Sequence, residues 1–192
     1  MCIVCGRASI DGVTHVRCKK PFGLDGAVSV WKYEKVIRKS IINLKYKFAY
    51  EIAKELSFYI RNFLKGNITA LPEKAILIPI PLYKTRKNWR GFNQSVEVGK
   101  LLAKGMGWSF VDDIVTRKVN AKPQTELKGK ERISNVRGVF AINSKFKSEK
   151  FSIDQSYIIF DDVWTTGMTL KEMCKVLKRN GAKNVWALTI AK

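Results

Sequence analysis

Tyr157-Ile-Ile-Phe-Asp-Asp-Val-Trp-Thr-Thr-Gly-Met-Thr169 is the stretch on which the fold turns. The apolar run Tyr157–Phe160 suits a strand buried on both faces of a parallel sheet. A helix follows from about Met168 to Asn180, with Leu170, Met173, Cys174 and Leu177 on one face and Gly181 as its stop. Between strand and helix, Gly167 lets the backbone approach a ligand with no Cβ in the way. The N–H groups of Thr165 to Thr169 fall at a helix N-terminus, where unpaired donors and the macrodipole favour an anion. The hydroxyls of Thr165, Thr166 and Thr169 add donors, and the whole forms a phosphate cradle. Asp161 and Asp162 accept only when ionised, so they cannot hold phosphate directly. They suit the two hydroxyls of a ribose, or a Mg2+ that bridges to one. Phosphate donors beside hydroxyl acceptors describe a ribose 5-phosphate. An isolated Thr-Thr-Gly would be an ordinary turn; the complete arrangement points to a ligand.

Outward from this stretch, Val185–Ala191 reads as a closing strand. Upstream, Ala75-Ile-Leu-Ile-Pro-Ile-Pro-Leu82 is a second buried strand, which must end where Pro79 and Pro81 interrupt ladder bonding. Asn93 caps a helix running to about Lys104, with Val96, Leu101 and Leu102 inward and Gly105 and Gly107 at its end. Val28–Tyr33 reads as a strand. Val36–Leu64 is helical with a break near Tyr46–Phe48; Ile52, Leu56, Tyr59 or Ile60, and Phe63 form its apolar face, and Gly66 stops it. Residues 117–150 are polar and basic, an excursion outside the sheet core. Strand–helix–strand units of this kind make an α/β fold with a parallel sheet flanked by helices and right-handed crossovers. Ligands bind beyond the carboxyl ends of such strands, so the loops after Leu82 and after Phe160 share one rim.

The loop after Leu82 carries Lys84, Arg86, Lys87 and Arg90. Guanidinium forks bind phosphate oxygens two at a time, so Arg86, Lys87 and Arg90 are candidates for a pyrophosphate end of the same ligand. Trp89 and Phe92 are interleaved with these cations. Aromatic rings in a positive groove are also what single-stranded nucleic acid requires, although Phe92 equally suits a core position.

Three of the four cysteines crowd the first eighteen residues. Cys2-x2-Cys5-x9-His15-x2-Cys18 is two ligand pairs at hairpin spacing, enough for a closed, structural tetrahedral Zn2+ site. Residues 1–26 are glycine-rich and poor in large apolar side chains, so such a staple would fold them as a separate module before the domain of 27–192. Cys174 belongs to an amphipathic helix and reads as core.

The bulk numbers bound these readings. The chain has 192 residues, 46% hydrophobic and 27% charged, a globular composition. Lys and Arg total 36 against 16 acids, a net +20 that draws polyanions or simply keeps the chain soluble. No apolar run has the ~18 residues of a membrane span. Met1–Arg17 lacks the apolar core of a secretory signal, so a cytoplasmic location is expected.

The Asp161–Thr169 segment resembles the phosphoribosyl-pyrophosphate motif of type I phosphoribosyltransferases. Pro79-Ile-Pro81, Arg90-Gly-Phe-Asn-Gln94, Lys122-Pro-Gln124 with Leu127, Arg132 with Asn135-Val136, and Phe140 are similar to the ComF (ComFC) competence family, as is the amino-terminal Cys cluster. The similarity spans essentially the whole chain. It implies a type I phosphoribosyltransferase-like fold and a phosphoribosyl pyrophosphate ligand carried with Mg2+. Arg86, Lys87 and Arg90 would then stabilise the leaving pyrophosphate. The family association further implies single-stranded DNA and a competence helicase as partners, either beside a transferase activity or in its place. The family finger ordinarily has four cysteines; here Pro21 stands where the fourth is expected and His15 is the substitute.

Overall fold

The computed structural model describes residues 1–46, 50–83, 85, 88–89, 91–118, 138–146 and 155–192. Arg86, Lys87 and Arg90 lie outside the described residues, as do Lys84, Lys122–Gln124, Leu127, Arg132, Asn135 and Val136.

The elements are β1 (Gly26–Trp31), α1 (Lys35–Tyr46), α2 (Tyr50–Asn67), β2 (Ile76–Pro79), α3 (Gln94–Met106), β3 (Ser109–Phe110), β4 (Val115–Arg117), β5 (Phe140–Ile142), β6 (Ser156–Val163), α4 (Met168–Arg179) and β7 (Asn184–Ala191). Five strands form one sheet in the order β1-β7-β6-β2-β3, and every pairing in it is parallel. Helices cover both faces, the arrangement of a type I phosphoribosyltransferase-like domain. One face packs Leu77, Ile158, Phe160, Leu188 and Ile190 against Ile41 and Leu44 of α1, Leu56 and Ile60 of α2, and Val98 and Leu102 of α3. The other packs Ile78, Tyr157, Ile159 and Val185 against Leu170, Met173, Cys174 and Leu177 of α4. The strict alternation along β6 between these two clusters is the period of two of a strand buried on both sides.

The apolar face expected of α4 is fully buried, and burial of Cys174 in it pushes the thiol up to about 12. The cap expected at Asn93 forms: its side chain accepts from Ser95 N–H, and Gly107 closes α3 in the left-handed region at φ 73°. In α2, Ile60 is buried while Tyr59 is largely exposed, which settles the choice between them.

Three expectations are corrected. The inward face of α3 is Val98, Gly99, Leu102 and Ala103, with Leu101 half-buried against the same core as expected, whereas Val96 is half-buried outside it. Gly99 sets that register, since a Cβ there would lie 3.0 Å from Leu77 Cδ2 and 3.2 Å from Phe160 Cδ1. Second, the segment after Arg117 is not entirely outside the core. β4 and β5 pair antiparallel as a separate two-stranded sheet, and Val139, Phe140 and Ile142 are buried with α4 and the main sheet. Three-residue strands are too short to show a period in the sequence. Third, β6 extends beyond Phe160, so Asp161 and Asp162 are strand residues and not loop. β7 supplies the ladder that carries them, pairing Thr189 with Asp161 and Ala191 with Val163.

Residues 1–25 pack against this frame. Ile3 and Leu24 join the α4-side core. The Asp11 carboxylate accepts from the N–H and hydroxyl of Thr69 and from Ala70 N–H, and these bonds hold it below the usual carboxylate range. Asp25 accepts from Val185 N–H at 2.8 Å and pairs with Lys178 at 2.8 Å. No described helix is long and apolar enough to cross a membrane.

Candidate functional site

The site begins with a mismatch in strand length. β2 stops at Pro79, opposite Phe160, and its last ladder bond runs from Ile80 N–H to Phe160 C=O at 2.9 Å. Proline cannot extend that ladder. β6 continues three residues further against β7 alone. Its other flank therefore opens at Asp161, on the carboxyl rim of a parallel sheet, where crevices in such folds form.

That opening is a cleft of about 230 Å³ lined by Lys45, Ile80, Leu82, Gln94, Arg117, Asp161–Thr165, Gly167, Thr169 and Leu170. Asp161, Asp162, Thr165, Gly167 and Thr169 thus face one space. Thr166 does not line it; its exposed hydroxyl accepts from Met168 N–H at 3.4 Å across the turn. Gly167 is the N-cap of α4 at φ 71°, and a Cβ there would lie 2.8 Å from Trp164 Nε1. A side chain at this position is excluded both by backbone conformation and by space. Larger hollows run along β1 (about 600 Å³) and between the cysteine cluster and α4 (about 420 Å³). Neither sets paired acids opposite a helix N-terminus, so chemistry rather than size singles out the smaller cleft.

The two acids are held differently. Asp162 is almost buried, and its Oδ2 receives Lys45 Nζ at 2.7 Å and Gln94 Nε2 at 2.9 Å. Asp161 Oδ1 accepts from Asp162 N–H at 2.9 Å and from Ser95 Oγ at 3.4 Å. Burial, and then the neighbouring Asp162 charge, push Asp161 up to about 7. Burial opposes the Lys45 ammonium, but the charges of Asp162 and Asp161 outweigh it and hold its pKa above the ordinary lysine value. Lys45, Gln94 and Arg117 were not identified as site residues from the sequence. Gln94 ends the Arg-Gly-Phe-Asn-Gln run and carried a signal; Lys45, in a lysine-rich helix, carried none.

Trp89 is 72% exposed, and Phe92 is half-buried beside the start of α3. Exposure at Trp89 suits a stacking surface; the burial of Phe92 suits a packing role.

At the amino terminus, the ligand atoms of Cys2, Cys5, His15 and Cys18 all lie within 4.8 Å of one another. Turns bring them together: Gly6 N–H bonds to Cys2 C=O at 2.9 Å, and Cys18 N–H bonds to His15 C=O at 2.8 Å. His15 Nδ1 faces Cys5 Sγ at 3.4 Å while its Nε2 meets Ala8 C=O at 2.9 Å. Because a carbonyl only accepts, that contact assigns the proton to Nε2 and leaves the Nδ1 lone pair available to a metal, the usual support of a ligating imidazole. Burial disfavours the Cys2 thiolate, but N–H groups of Cys5, His15 and Val4 outweigh it and bring the thiol down to about 6. Burial and the neighbouring thiols of Cys5 and Cys2 raise Cys18. A cation bridging the cluster would remove that thiolate repulsion, so three sulfurs and one nitrogen fit a tetrahedral zinc.

No family model matches the chain. It is 30% identical over 195 residues to DNA utilization protein YhgH of Salmonella typhi, covering 98% of this chain and 83% of that protein. It is 29% identical over 160 residues to Competence protein F of Haemophilus influenzae, covering 79% of this chain and 68% of that protein. It is 25% identical over 200 residues to Competence protein ComFC of Bacillus subtilis, covering 99% and 77%.

Proposed function

The chain belongs to the ComF (ComFC) family of competence and DNA-utilization proteins, and from that premise we propose that it binds phosphoribosyl pyrophosphate, carried with Mg2+, in the service of DNA uptake or use in the cytoplasm. One observation carries the reading: paired carboxylates at the open end of β6 face the α4 N-terminus and the Thr165 and Thr169 turn across a single cleft. The 5-phosphate sits on the N–H groups of Thr165–Thr169 and on the hydroxyls of Thr165 and Thr169, the two threonines that line the cleft, as in other helix N-terminal anion sites. The ribose hydroxyls donate to Asp161 and Asp162. Arg86, Lys87 and Arg90 take the pyrophosphate and stabilise it as a leaving group, so the transfer reaction needs positioning and charge stabilisation more than proton transfer. A Mg2+ carried in with the ligand would add charge neutralisation at the pyrophosphate to that of Arg86, Lys87 and Arg90. Residues 1–26 act as a zinc-stapled module on the domain of 27–192.

The test is calorimetric titration of phosphoribosyl pyrophosphate with Mg2+ into the native protein and into Asp161→Ala/Asp162→Ala. Binding in the micromolar range, about −8 kcal/mol, that disappears in the variant is the expected result. A folded native protein that binds nothing rejects the site. Pyrophosphate release with a base or amine acceptor then distinguishes an enzyme from a ligand-binding scaffold.

A second reading rests on the exposed Trp89 beside the basic loop and on the net charge of +20. In it the fold is a single-stranded DNA module that meets a helicase partner. DNA affinity that falls steeply with salt and weakens in Trp89→Ala supports this reading.

A further inference from the structure

Lys45 belongs neither to the acid pair nor to the threonine turn, yet it lines the same cleft. It stands in the last turn of α1, where the helix dipole favours a cation. Its ammonium lies 2.7 Å from Asp162 Oδ2, with side-chain exposures of 22% and 8% for the two partners. Gln94 Nε2 donates to the same oxygen at 2.9 Å from the first turn of α3. Two helices from different parts of the chain thus converge on one carboxylate oxygen, 117 residues after Lys45 in the sequence (162 − 45). Asp161 adds its charge to the field at Lys45.

A Mg2+ at the acid pair would need oxygen ligands in a near-octahedral array at about 2.0–2.1 Å. Asp162 Oδ2 already accepts from an ammonium and an amide, and a dication on that carboxylate would sit directly beside a fixed positive charge in a partly buried site. One positive charge against the acid pair is already built into the chain at Lys45, in contact with Asp162. We infer that Lys45 is the resident cation of the cleft, taking the place at the acid pair that a divalent ion would otherwise fill, so that the ribose 5-phosphate end of a ligand binds without divalent metal. This rests on the ribose-phosphate reading of the cleft and sharpens it: Mg2+ travels with the pyrophosphate and is confined to that end. Lys45 acts through Asp162 and is a positioning residue.

Ribose 5-phosphate has no pyrophosphate to carry a metal and is the discriminating probe. It is titrated into the full chain with and without Mg2+, in buffer stripped of divalent ions over a chelating resin, because soluble chelators would also attack the cysteine cluster. The native protein is expected to bind it with affinities that agree within about twofold in the two conditions. Lys45→Met is expected to bind about tenfold or more weakly without Mg2+ and to regain affinity when Mg2+ is added, and Lys45→Arg is expected to keep metal-independent binding. Lys45→Met leaves a buried carboxylate unpaired and risks misfolding, so the native comparison decides the matter by itself. Binding that requires Mg2+ in the native protein overturns the role of Lys45. So does absence of ribose 5-phosphate binding while phosphoribosyl pyrophosphate binds, or a folded Lys45→Met that matches the native protein without metal. Failure of phosphoribosyl pyrophosphate itself to bind rejects the ribose-phosphate reading as well.

Discussion

The cysteine cluster and the Asp161 cleft are assembled in opposite ways. All four ligands of the cluster come from residues 2–18, gathered by turns whose hydrogen bonds span a few residues. The cleft draws Lys45 from α1, Gln94 from α3, Arg117 from β4 and the acids from β6, and it opens only because β2 is shorter than β6. The first is a local object closed by its ligands. The second is a tertiary object left open at a sheet rim. A closed set of thiolates suits a structural metal, whereas an open rim with donors on one side and acceptors on the other suits a ligand that comes and goes.

This contrast predicts effects of different kind and size. The largest should follow loss of the metal. Structural zinc sites contribute about 10–16 kcal/mol of apparent binding energy in finger peptides. Cys18→Ser should therefore abolish zinc retention by elemental analysis and open residues 1–26 to protease. A variant that keeps stoichiometric zinc would break the contrast by showing the cluster is not a four-ligand site. Because Ile3 and Leu24 share the α4-side core, the melting temperature should fall too, while the acid pair stays formed.

Next comes the acid pair. Asp161→Ala/Asp162→Ala should weaken ligand binding by at least about 100-fold, two charge-assisted hydrogen bonds at about 1.5 kcal/mol or more each, which takes it out of the micromolar range, and leave zinc content unchanged. Coupled loss of zinc would mean the two regions are one unit.

A tenfold effect is expected from pH. With Asp161 near 7, only about a tenth of it is ionised one unit lower, so affinity should drop about tenfold between pH 8 and pH 6. The stability effect has the opposite sense. A raised carboxyl favours the folded state fully below its ordinary value of 3.8, and that contribution is lost as pH rises through about 7. Asp161→Asn should flatten both profiles, measured by calorimetry and by denaturant melts; unchanged slopes would assign the titration elsewhere.

Gly167→Ala should cost more than about 1 kcal/mol in denaturant unfolding, because φ 71° and Trp164 both resist a Cβ. It should also weaken phosphate binding by shifting the turn. The smallest effect is expected at Trp89. Its replacement by Ala should lower single-stranded DNA affinity by about 1 kcal/mol, the low end for loss of one stacked base, and leave phosphoribosyl pyrophosphate binding untouched.

Much of this architecture was legible in advance, for identifiable reasons. Tyr157–Phe160 and Ala75–Leu82 read as buried strands because both faces of each are covered, so nearly every side chain is apolar. The α4 face was exact because Leu170, Met173, Cys174 and Leu177 repeat at helical spacing. Pro79 marked the end of β2, and Asn93 and Gly107 marked the ends of α3. By contrast, Val96 looked as apolar as Val98. Only the contact of Gly99 with Leu77 and Phe160 decides which of the two faces inward.

The sequence by itself determined the local chemistry: a Cys/His ligand spacing, an acid pair after an apolar strand, and a glycine between threonines at a helix start. These features depend on neighbours within a few residues, and short-range backbone geometry converts spacing into proximity directly. Tertiary structure alone decided that Asp161 and Asp162 lie on a strand, that Thr166 does not line the cleft, and that Lys45 and Gln94 close on Asp162. Those outcomes depend on the lengths of non-adjacent strands and on helices separated by up to about a hundred residues. Their positions are set by packing around the whole sheet, and no local pattern encodes them.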